Sequence, residues 1–74
     1  MDNEKKMELI EELFDVESGD ITPETELDSL EEWSSLTKLS LIVMIDEECG
    51  KTINNEVIKS LKTVQDIMNI MDKN

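Results

Sequence analysis

The chain has 74 residues, a mass of 8.5 kDa and a formal net charge of −12, which allows one small domain with a thin core. Histidine and arginine are absent, Phe14 and Trp33 are the only aromatic residues, and Cys49 is the only cysteine. These absences remove the commonest general acid–base residue and metal ligand and any intramolecular disulfide or cysteine zinc cluster, and seven lysines against nineteen acids argue against nucleic-acid binding and for a basic or apolar partner.

The opening stretch, MDNEKKMELIEEL, carries acids where a signal peptide needs an unbroken apolar core. The longest apolar run, Leu41–Ile45, is far too short to span a bilayer. A cytoplasmic monomer without membrane insertion is expected. Charge is uneven: residues 1–32 hold 13 acids and 2 lysines, a net of −11, against a net of −1 for residues 33–74. An acidic half of this kind either keeps a small protein soluble or steers a basic partner.

Apolar spacing predicts helices and no strand of useful length. The first helix runs from about Asn3 to Val16, with Met7, Ile10, Leu13 and Phe14 on its stripe, Asn3 as cap and Ser18-Gly19-Asp20 as its end. A long connection follows to Ser34. Pro23 forbids regular pairing there, and Ile21, Leu27, Leu30 and Trp33 are expected to anchor it on the core.

The second helix spans about Ser35–Glu48, capped by Ser34 and stopped by Gly50. Leu36, Leu39 and Val43 share one stripe and Leu41 and Ile45 another, with Ile42 and Met44 between. So much apolar surface fits a central helix buried on several sides, or a face that meets a partner or an apolar ligand. A short third helix lies near Asn55–Ser60, capped by Asn54 or Asn55. The last starts at Thr63 as cap and aligns Val64, Ile67, Met68 and Met71. The expected fold is all-α: a small four-helix bundle of three main helices and one short one, with a long first loop, in a single domain over residues 1–74.

Catalysis is poorly supported, because no Cys–His or Ser–His pair exists and a thin core has little cleft in which to perturb a carboxylate. A calcium loop counted from Asp15 to Glu26 fails at its sixth position, where the pattern needs Gly and Asp20 stands instead.

Another pattern covers residues 4 to 72. The stretch ITPETELDSLEEWSSLTKLSLIVMIDEECGKTI, followed by LKTVQDIMNIM, resembles the acyl carrier protein family in the order and spacing of its landmarks. The resemblance implies a carrier rather than an enzyme. A serine at the start of the second helix would bear a 4′-phosphopantetheine arm. Partners would be a phosphopantetheinyl transferase and acyl-loading and acyl-processing enzymes of fatty acid, polyketide or related biosynthesis.

Asp28-Ser29-Leu30 is the literal motif of that family, but Ser29 is followed by Leu-Glu-Glu-Trp rather than by a long apolar helix. Ser35 stands at the family's distance from MIDEEC and TVQDI and is the expected attachment residue, with Ser29 and Ser34 as alternatives. The same likeness places partner docking at Leu36, Val43, Asp46 and Glu47, and an acyl pocket at Leu39, Ile42, Ile53, Ile58 and Leu61. Two departures stand out: Ser34 replaces the Asp that usually precedes the modified serine, and Thr37, Lys38 and Ser40 lie where many fatty-acid carriers have acids. The reading of a different class is a non-modified acidic helical adaptor that binds its partner through the second helix.

Overall fold

The computed structural model describes residues 2–72. Helices α1 (Asn3–Phe14), α2 (Ser35–Cys49), α3 (Asn55–Ser60) and α4 (Val64–Asp72) form the expected all-α bundle, α1 packing against both α2 and α4. Ile10 and Phe14 of α1, Leu41 and Ile45 of α2, Ile58 of α3 and Val64, Ile67, Met68 and Met71 of α4 meet in one core.

The first helix differs from expectation at both ends. Asp2, not Asn3, is the N-cap, its carboxylate accepting from Lys5 N–H at 2.8 Å. The helix stops at Phe14 because Asp15 enters the left-handed region at φ 57°. There the N–H of Asp15 donates to Glu12 and that of Val16 to Glu11, a Schellman ending with Asp where Gly is usual. The Ser18-Gly19-Asp20 turn lies beyond that stop.

The long connection is more ordered than a plain loop. Ile21 and Leu27 are fully buried, Leu30 and Trp33 half-buried, so all four expected anchors reach the core. Leu27–Ser29 forms a 3-10 turn. The segment before it is clasped to the start of α4 by three backbone hydrogen bonds: Leu27 N–H to Lys62 O (2.8 Å), Val64 N–H to Thr25 O (3.0 Å) and Gln65 N–H to Pro23 O (2.8 Å). Pro23 fits because it contributes only its carbonyl.

The other boundaries follow local chemistry. Gly50 closes α2 at φ 66°, a conformation that costs glycine little, with its N–H on Asp46 O at 3.0 Å. Asn54 caps α3 by accepting from Val57 N–H at 3.0 Å. At α4 the Asp66 carboxylate reaches back to the N–H groups of Lys62 (2.8 Å) and Thr63 (3.1 Å), the return half of a capping box. Lys6 is buried on α1 and pairs with Asp72 at the end of α4, tying the two helices together.

Candidate functional site

The first turn of α2 is built from Trp33 onward. Ser34 holds extended backbone and caps the helix, its Oγ accepting from Thr37 N–H at 3.3 Å. Ser35 is the first helical residue and is exposed. Behind the cap, the half-buried Trp33 ring meets Phe14 edge-on, with centroids 5.8 Å apart and an interplanar angle of 72°. Lys38 lies over the Trp33 ring at 5.4 Å from its centroid. The helix start is therefore fixed to the core through an aromatic pair.

The three serines differ in what their hydroxyls do. Ser29 Oγ donates to Glu26 O at 2.6 Å inside the 3-10 turn. Ser34 Oγ is committed to the cap and also lies 3.3 Å from Thr37 Oγ1. Among the described residues Ser35 Oγ has no such partner, and it stands at a helix N-terminus whose first turn carries no acid. That end of the helix favours a negative group through its free N–H groups and dipole, so the residues fit a phosphodiester joined to Ser35.

Helix α2 is not buried all round. Leu41 and Ile45 face the core, while Leu36, Leu39 and Val43 are 74%, 59% and 54% exposed. Leu36 and Val43, expected from the resemblance to dock a partner, thus share an outward stripe with Asp46 and Glu47, which are also exposed. Leu39 belongs to this stripe and not to an interior pocket. It lies three residues after Leu36 and four before Val43, and helical geometry puts all three on one side. With Ser40, Val43, Met44 and Glu47 it lines a shallow surface hollow of about 290 Å³.

The other four residues expected to line an acyl pocket also separate. Ile58 and Leu61 form the apolar part of an open groove of about 580 Å³, together with Trp33, Lys38, Glu26, Asp28, Lys59, Lys62 and Thr63. Ile53 lines a different hollow of about 310 Å³ with Val57 and Ile70. Ile42 is half-buried against the core. Sequence reasoning missed Lys59 and Lys62, whose only signal is tertiary: the clasp brings the α3–α4 connection beside Trp33 and Lys38.

Comparison with known proteins shows the family. Residues 7–70 match the family model described as the phosphopantetheine attachment site. An acyl carrier protein of Thermobifida fusca (strain YX) is 32% identical over 66 residues, covering 89% of this chain and 84% of that protein. No solved structure matches with significance.

Proposed function

The chain belongs to the acyl carrier protein family, whose members are carriers and not enzymes, and we propose that Ser35 is its attachment residue for 4′-phosphopantetheine. When bound, the arm supplies a terminal thiol that holds an acyl group as a thioester. The observation that carries the assignment is the contrast among the serines: Ser29 and Ser34 spend their hydroxyls on local hydrogen bonds, and Ser35, at a fixed helix end, has no such partner among the described residues.

In the proposed modification Ser35 Oγ attacks the pantetheine-bearing phosphorus of coenzyme A. The new O–P bond forms as the pyrophosphate bond breaks. The adenosine bisphosphate leaves, and the hydroxyl proton passes to the transferase or solvent. The Ser34 cap and the Trp33–Phe14 pair hold the nucleophile in place, and the helix end accommodates the added charge.

The outward stripe of Leu36, Leu39 and Val43, edged by Asp46 and Glu47, is the proposed docking face for the transferase and for acyl-loading and acyl-processing enzymes of fatty acid, polyketide or related biosynthesis. An exposed apolar strip bordered by charge suits a transient interface. No helix among the described residues is long and apolar enough to cross a membrane, and a cytoplasmic site of action is proposed. Incubation with a phosphopantetheinyl transferase and coenzyme A, followed by intact mass and peptide mapping, tests the assignment. Mass gain mapped to Ser35 is expected. No gain would favour the unmodified adaptor, with the same α2 stripe as its binding face.

A further inference from the structure

We propose that the groove beside Ser35 selects an acyl chain ending in a carboxylate, with Lys38, Lys59 and Lys62 as specificity-determining residues; this rests on Ser35 bearing the arm. In a chain of net charge −12 with only seven lysines, three of them line one groove. Among the described residues none of the three is in an ion pair; the pair found there joins Lys6 to Asp72. Lys38, half-buried, instead rests on the Trp33 ring, a contact weaker than a charge pair and one readily exchanged for a carboxylate.

Glu26 and Asp28 share the rim without pairing to the lysines, so the lining carries a net charge of +1 while the molecule is strongly negative. The floor of Trp33, Ile58 and Leu61 accommodates methylenes, and the volume of about 580 Å³ lies within the usual range for small ligands. Lys38 stands three residues after Ser35, on the flank of α2 that carries the attachment residue. A chain tethered at Ser35 would lay its methylenes on the floor and bring a terminal carboxylate to the ammonium groups. An aminoacyl end would meet like charge. Exposed ion pairs are individually weak, about fivefold at most per pair, so the selectivity comes from convergence and is sensitive to salt.

The test uses the full chain loaded enzymatically from coenzyme A thioesters with a bare arm, an octanoyl arm or an eight-carbon arm ending in a carboxylate. Intact mass follows loading. Trp33, the sole tryptophan, reports on the groove by fluorescence, and amide resonances of Lys59 and Lys62 report on its rim. The carboxylate-ended chain is expected to move both signals more than octanoyl does, with the difference lost at about 0.5 M salt. Lys59→Gln with Lys62→Gln should cut the carboxylate response severalfold and leave the octanoyl response unchanged. Both lysines are exposed, and an unchanged melting temperature confirms that the variant folds. An equal response to octanoyl would overturn the proposal. So would an equal response to the bare arm, which would assign the lysines to the arm's own phosphate. Failure to load at all would overturn the attachment reading instead.

Discussion

Trp33 meets Phe14 edge to face, at 5.8 Å between centroids, and so joins the residue two before Ser35 to the end of α1. Edge-to-face pairs add to the area that they bury. Full truncation of a buried aromatic costs about 3–5 kcal/mol. For a half-buried ring, Trp33→Ala is expected to cost about 2 kcal/mol and to lower the melting temperature by roughly 8–16 °C. Arm attachment should also slow below the melting transition, because the mount of Ser35 loosens. Trp33→Phe should restore most of both. Calorimetry and a transferase assay check this, and an unchanged attachment rate in Trp33→Ala would show that the mount is not needed.

Ser35→Ala is expected to abolish arm attachment, whereas Ser29→Ala leaves it intact. The latter loses only the hydrogen bond to Glu26 O, at a cost of about 1 kcal/mol. Peptide mapping after modification distinguishes them. An arm found on Ser29 would refute the register that places Ser35 at the start of α2.

Ser34→Asp should speed modification without moving it. The change restores the acid that the family usually carries before the modified serine. It also keeps a good N-cap, which makes stability equal or slightly higher. Ser34→Ala, by contrast, removes the acceptor for Thr37 N–H and should cost about 1 kcal/mol. Transferase rates beside thermal melts separate the two effects. No acceleration in Ser34→Asp would mean that the cognate transferase does not read this position.

Leu36→Ser and Val43→Ser should leave stability within about 0.5 kcal/mol, because both side chains are more than half exposed. Their effect is expected in kcat/KM of the transferase, which should fall about tenfold for Leu36→Ser, the loss of a contact worth over 1 kcal/mol at an interface. Leu41→Ser, on the opposite side of the same helix, should unfold the protein. Similar kcat/KM for wild type and Leu36→Ser would remove the stripe from the docking face.

Features governed by neighbouring residues were legible in the sequence. Ser34 before an apolar run and Gly50 after it set both ends of α2, and Asn54 set the start of α3. The burial of Ile21 and Leu27 was equally legible, because apolar residues in a polar connection have one favourable place to go. The end of α1 was not, since an Asp in the left-handed region has no signature apart from its turn. Lys6 reads as a surface residue until Asp72, at the far end of the chain, is brought beside it. Leu39 looked interior by family position and lies outside by helical phase. The lysine-lined groove depends on residues from three separate segments, and no local pattern records their meeting.

The three hydrogen bonds that clasp Pro23, Thr25 and Leu27 to residues 62–65 are expected to divide the molecule by stability. The clasp closes the base of a long excursion, the 3-10 turn, α2 and α3, onto the α1–α4 pair. Local opening of α3 then need not disturb that base, and proteins open in such cooperative units. In native-state hydrogen exchange the amides of Leu27, Val64 and Gln65 are expected among the slowest outside the helix interiors, near the protection of Ile67, while Ile58 in the six-residue α3 exchanges sooner. The reverse order would mean that α3 is the more durable part, and that a chain entering the groove must unfasten the base to make room.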